Sequence, residues 1–232
     1  VNWVLANIST VLDLAVAHVA LSVVPVLLGL VISLPLGWLA NRYRRSRGAL
    51  LTLGGALYTI PSIALLLAMP AVLGTNILDP LNILVALTVY AVALMIRITS
   101  DALASVSPDV KQSATAMGYA GWARFWRVEL PLAGPVLLAG LRVVSVSTVS
   151  MVTVGSLSGI QSLGTMILTG YRRQFYTEII TGIVGIVVIA LVFDLILLIA
   201  GRLLMPWSAQ PSLRTRTRAT RRASLVTDAS AS

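Results

Sequence analysis

The sequence predicts an all-α integral membrane protein of about five transmembrane helices, with its N-terminus outside and its C-terminus inside. Three observations carry this. Hydrophobic residues make up 57% of the 232-residue chain and charged residues only 11%, and the mean hydropathy of +0.93 lies far above that of a soluble domain. Uncharged runs extend over residues 19–41, 48–78, 80–96, 143–171 and 179–193, and several reach the roughly 20 residues that cross about 30 Å of hydrocarbon as a helix. Arginine clusters flank these runs in the pattern that marks cytoplasmic ends.

The opening stretch VNWVLANISTVLDLAVAH has no basic region and no small-residue cleavage site before its apolar run, so the first span reads as permanent rather than as a cleaved leader. His18 reads as a polar residue at the interface where that span begins. The span ends in NRYRRSRG, where Arg42, Arg44, Arg45 and Arg47 place this end in the cytoplasm. The link around Asp79 then returns to the outer face. The connection 97–131 carries Arg97, Lys111, Arg124 and Arg127 and is cytoplasmic, so the charge rule and the order of spans agree. Only GYRRQFYTE, with Arg172 and Arg173 at the outer face, runs against the rule. Arg202 brings the last span back inside. Residues 1–206 form the transmembrane domain, and residues 207–232, with the run RTRTRATRR, form a basic, disordered tail able to touch anionic lipid.

A net charge of +9 would suit nucleic acid, but its placement beside apolar spans points to the lipid bilayer and away from a nucleic-acid partner. Without cysteine, and with His18 as the single histidine, the chain has no means for a disulfide, a thiolate or histidine metal cluster, or a histidine triad. No catalytic residues, metal ligands or cofactor site are expected. Lys111, the one lysine, sits in PDVKQS and not in a GxxxxGK[ST] loop, so ATP has no site here.

Between the third and fourth spans lies QSATAMGYAGWARFWRVELP, residues 112–131. Just before it, Ser107 is placed to cap a helix, with Pro108 at the first helical position and Asp109 near its positive end. Gly118 is a stop signal. A second short helix then sets Trp122, Phe125, Trp126 and Glu129 on one side and Arg124 and Arg127 on another, and Pro131 marks the turn into the fourth span. Two such helices at the membrane face could dock a soluble partner or anchor the chain among lipid headgroups.

Two charges lie at depth in the spans. Asp194, in VVIALVFDLILLIAG, and Arg142 are either paired or snorkelling for structural reasons, or they belong to a solute route. Pro61 in YTIPS removes a backbone hydrogen bond and predicts a kink near Tyr58 and Ser62. That kink serves packing, or it lines a pathway where the Tyr58 ring could meet a quaternary ammonium.

The 112–131 segment resembles the cytoplasmic loop of ABC importer permeases, whose pattern is Glu-Ala-Ala, three residues, Gly, nine residues, Ile, any residue, Leu-Pro. Gln112, Ser113 and Ala114 take the first three places, Gly118 the glycine, Val128 the isoleucine, and Leu130 and Pro131 the end. Gln112 and Ser113 depart from the pattern, and the lost carboxylate turns a charge-assisted contact into a neutral one. The stretches PLGWLANRYRR, YTIPSIALLLAMPAVLG and VYAVALMIRIT are similar to the branch that imports glycine betaine, carnitine, choline and proline. Where that branch has a GAGGLG turn, this chain has GSLSGIQSLG.

The resemblance implies the fold of a type I ABC importer permease, with a coupling helix seated in a groove of a separate ATP-binding subunit. It also implies a second permease subunit, identical or homologous, an extracytoplasmic solute-binding protein, and alternating access driven by ATP hydrolysis elsewhere. An amino-acid or methionine permease would keep the loop but differ around TIPS. A channel or scaffold working without ATP would have no use for the loop at all.

Overall fold

In the computed structural model, which describes residues 2–119 and 121–208, the uncharged runs become helices that end where the sequence supplies caps, glycine or proline. They are α1 (Asn2–Ala6), α2 (Ile8–Arg42), α3 (Arg44–Thr59), α4 (Ser62–Leu73), α5 (Pro80–Ala104), α6 (Pro108–Ala116), α7 (Gly121–Arg124), a π-helical turn (Phe125–Glu129), α8 (Leu130–Gly155), α9 (Leu163–Arg173) and α10 (Tyr176–Leu204). No strand occurs among the described residues. The tail expected to be disordered lies almost wholly outside them.

Helices α2 and α5, the continuous run through α7 and α8, and α10 are each long and apolar enough to cross a bilayer. A fifth span results if α3 and α4, bent by 100° at their break, are one. The expected number of helices holds in that form, with three changes. Pro61 produces a full break rather than a kink. The 143–171 run is two helices, because α8 ends at Gly155 and the chain turns at Gly159, whose φ is +82°. The charged connection begins only after Ala104, since Arg97 lies within α5.

Small residues set the central packing. Gly29, Ser33 and Gly37 recur every fourth residue along the buried side of α2. A Cβ added to Gly29 would stand 2.6 Å from that of Ala91, and one on Gly37 would stand 2.5 Å from that of Thr99. The matching eight-residue steps mean that α2 and α5 run parallel in close backbone approach, as small-residue stripes allow in membranes. The Ser33 and Thr99 hydroxyls lie 3.4 Å apart in the same seam. Gly29→Val is expected to destabilise the protein by about 1–3 kcal/mol, the usual cost of overpacking. A fall in melting temperature in detergent would show it, with Gly55→Ala as control, since a Cβ there meets nothing within 4 Å.

Helix α8 runs antiparallel to α5: Gly140 packs on Ile98 and Gly155 on Ile83. It is also antiparallel to α2 and α10, through the contacts of Val149 with His18 and Leu138 with Gly201. The ends of α2 and α5, the start of the α7–α8 run and the end of α10 therefore share one end of the bundle. The starts of α2 and α5, with α9, occupy the other. His18 is fully buried, with Nε2 3.0 Å from the Val149 carbonyl. Its side chain is thus held inside the protein, because α8 covers that face of α2. By contrast α10 leaves Ile180, Val184, Val187, Val188, Leu191 and Leu195 exposed, a surface suited to hydrocarbon.

Candidate functional site

The segment read as a docking loop is built from α6 outward. Ser107 accepts a hydrogen bond from the Asp109 amide at 3.3 Å, and Pro108 opens the helix, as the cap residues predict. The helix ends at Ala116, and Gly118 takes φ +90° while Tyr119 donates back to the Ala114 carbonyl at 3.0 Å. Ala114 is buried, whereas Gln112 and Ser113 are exposed. So the third residue of the pattern faces the protein and the first two face outward.

The α6 helix is tied to the bundle by charge. Lys111 Nζ donates to the Leu103 carbonyl at the end of α5, at 2.8 Å. Arg124 Nη1 donates to Thr115 Oγ1 at 2.8 Å, and Arg124 Nε to Glu129 Oε1 at 2.6 Å. Lys111, Gln112, Thr115, Ala116 and Arg124 line an open hollow of about 310 Å³.

Two expectations for the following residues fail, for one reason. Arg124 and Glu129 were assigned to different sides, yet they form an ion pair with Glu129 buried. Pro131 was to mark a turn, yet helix continues from Gly121 to Ser158. The π-helical turn accounts for both. In it the Leu130 amide donates to the Phe125 carbonyl, so residues five apart come onto one face. Trp38 meets Trp122 edge-on at 5.3 Å and Trp122 stacks on Phe125 at 5.2 Å. This fixes the turn against α2. Val128, Leu130 and Pro131 are half-buried along the same helical run, with Leu130 packed on the core around Phe125.

The five residues singled out within the spans fall into two groups. Arg142 in α8 and Asp194 in α10 form a two-pronged pair, Nε to Oδ1 at 2.5 Å and Nη2 to Oδ2 at 2.7 Å. Pairing, not snorkelling, is the outcome. Tyr58, Pro61 and Ser62 gather at the break between α3 and α4, against α5. The Tyr58 ring is exposed and meets Tyr90 edge-on at 5.9 Å, and Pro61 caps α4 ahead of a half-buried Ser62.

Tyr90 was not anticipated. Its hydroxyl donates to the Ile60 carbonyl, a group that the break leaves without a helical partner, and hydrocarbon offers no substitute. VYAVALMIRIT contained this tyrosine, but nothing local pointed it at a residue 30 positions away. Tyr90→Phe is expected to cost about 0.5–1.5 kcal/mol, the worth of one such bond, and to speed amide hydrogen exchange around residues 57–65. Unchanged exchange there would show that packing alone holds the break.

The turn that departs from GAGGLG has its own geometry. Ser162 and Thr165 form a capping box at the start of α9, and a Cβ on Gly164 would lie 2.5 Å from the Thr153 carbonyl oxygen. The close approach falls on the Leu163-Gly164 pair that both versions share.

Comparison with known proteins agrees with this architecture. Residues 12–209 match the family described as "Binding-protein-dependent transport system inner membrane component". A glycine betaine/carnitine/choline transport system permease of Bacillus subtilis is 29% identical over 193 residues, 83% of this chain and 88% of the relative. A choline transport system permease of the same organism is 30% identical over the same shares. An osmoprotectant import permease of Salmonella typhimurium is 28% identical over 85% of this chain and 93% of the relative. Among solved structures, an inward-facing methionine ABC transporter matches with a TM-score of 0.70 at 21% identity, covering 88% of this chain and 99% of that one. The likeness to the methionine transporter concerns the fold alone. With the family model spanning residues 12–209 and the relatives aligned over most of their length, the chain belongs to the binding-protein-dependent transport system inner membrane components, as a multi-pass permease subunit.

Proposed function

We propose that this permease imports a small compatible solute, of the class of glycine betaine, choline, carnitine or proline, by alternating access. The observation that carries this is α6. It is capped at Ser107, stopped at Gly118, pinned by Lys111 and Arg124, and presents Gln112 and Ser113 outward above an open hollow. Such a rigid short helix at one end of the spans suits insertion into the groove of an ATP-binding subunit. The names of the relatives supply the solute class.

In this reading the α6 end is cytoplasmic, which puts Arg42, Arg45 and Arg47 inside by the charge rule, and the α9 end faces the outside. ATP is hydrolysed in the separate subunit. A second permease, identical or homologous, completes the pathway, and an extracytoplasmic binding protein delivers solute to the α9 end. ATP binding draws the two coupling helices together. Because Lys111, Arg124 and Glu129 tie α6 to α5 and to the α7–α8 run, that movement is passed to the spans as rigid elements. Tyr58, Pro61 and Ser62 line the route at the α3–α4 break, while Arg142 and Asp194 hold α8 against α10.

The test is purification of the chain from its host in mild detergent, followed by reconstitution with the proteins that accompany it. An ATPase and a binding protein should co-purify, and the set should support ATP-dependent uptake of at least one of the four solutes. Intact protein that brings no ATPase would sink the proposal.

A further inference from the structure

A cavity of about 330 Å³ opens at the end of the bundle remote from α6, between the start of the chain, α9 and the first turn of α10. Its walls include Trp3, Asn7, Thr165, Thr169, Arg173 and Glu178, of which only Thr165, in the capping box of α9, belongs to a group described above. Its size falls at the lower end of the roughly 300–1,000 Å³ of small-molecule sites.

Glu178 is 9% exposed, and its Oε2 is buried without a hydrogen-bond partner. Such an oxygen is costly unless a donor or cation from outside the chain completes it. Arg173, in the last turn of α9, lines the same cavity. Yet the ion pairs among the described residues are Arg47–Asp101, Arg124–Glu129 and Arg142–Asp194. Two opposite charges therefore face one cavity without neutralising each other. Trp3, held edge-on against Phe175 at 5.2 Å, adds an aromatic wall of the kind that attracts organic cations.

We propose that this cavity binds one small zwitterion, with its ammonium centre between Glu178 and Trp3 and its carboxylate at Arg173. The assignment rests on the solute class given under the proposed function and adds a place on the permease where the solute is held. A bare cation would satisfy Glu178 but leave Arg173 facing like charge, so glycine betaine, proline and carnitine are selected over choline.

The experiment uses the full-length chain with its co-purified ATPase in nanodiscs, without binding protein. Binding of radiolabelled glycine betaine and of choline is measured, and uptake with the binding protein present is a separate readout. Wild-type protein should bind glycine betaine saturably and choline more weakly. Glu178→Gln should weaken both ligands by about tenfold or more, and Arg173→Gln should weaken glycine betaine by about tenfold while sparing choline, as expected when one charge-assisted contact is lost. Arg173 is exposed, so its variant keeps the fold, and thermal melting checks the Glu178 variant. Absence of saturable zwitterion binding, unchanged glycine betaine binding in both variants, or choline bound as tightly as glycine betaine would overturn the assignment. Any of these with uptake intact removes this site and leaves the importer standing. Binding retained with no uptake supports the site and removes the importer.

Discussion

Asp194→Ala is expected to abolish uptake and sharply reduce the recovery of folded protein, and the exchanged pair Arg142→Asp with Asp194→Arg to restore much of both. Arg142 lies 12 residues after the start of α8 at Leu130, and Asp194 ten residues before the end of α10 at Leu204, so each sits about 15–18 Å along its helix. Their side chains are 37% and 32% exposed, but at that depth the surroundings are hydrocarbon, another helix or a narrow wet route. In water a pair this open would contribute little. In a span, neither charge has an alternative partner of comparable quality, and the arginine fork matches the carboxylate with two parallel bonds. Removing one member strands the other. The sharp readout is the comparison of single variants with the exchange, by gel filtration and by uptake in proteoliposomes. If Asp194→Ala takes up solute at the wild-type rate, the pair is incidental.

Gly118→Val is expected to spare the spans while uncoupling them from ATP hydrolysis. The residue sits at φ +90°, and a Cβ there would meet nothing within 4 Å. Crowding is therefore excluded as a cause, and the whole effect is backbone conformation. A β-branched residue strongly resists positive φ, at a cost of about 1–2 kcal/mol or more, which is roughly a 5–30-fold loss of the correctly shaped loop. Because α6 is held at its other end by the Ser107 cap and Lys111, the strain falls on the link from Met117 to Gly121. Melting temperature should stay near wild type, while ATPase stimulation by solute and binding protein falls at least severalfold. Gly48→Ala is the control, having open space and no positive φ; it should be neutral or slightly stabilising. Full coupling in the valine variant would mean that α6 does not carry the signal.

Local chemistry was legible in the sequence at the two ends of α6, where single residues act on their own backbone, though not at Pro131, which lies within continuous helix. Ser107, Pro108 and Gly118 do what a cap, a first-turn proline and a stop do. At Arg142 and Asp194 the sequence left pairing, snorkelling and a place on a solute route open, and the structure shows the pair. What escaped depends on partners far along the chain. The cover that α8 gives His18 has no local sign, and Tyr90 looks like any aromatic in a span until the break at Pro61 offers a carbonyl. Proline requires a lost bond there, but the 100° bend is decided by how α3 and α4 pack. The stripe of Gly29, Ser33 and Gly37 stood in plain view at four-residue spacing. Hydropathy counting passes over it, since small residues add little to an apolar sum.

The π-helical turn gives residue counts in this segment a second meaning. On a regular helix, residues five apart point roughly 140° away from each other, whereas Arg124 and Glu129 meet. The turn accommodates one more residue than an α-helical turn would, so α7, with Trp122, is rotated relative to α8 by about one residue's step, roughly 100°. The nine positions between Gly118 and Val128 thus measure an angle as well as a length. Adding or deleting one there would leave the reach of the segment almost unaltered, but it would turn the α6 end about the axis of the fourth span like a dial set to the wrong mark.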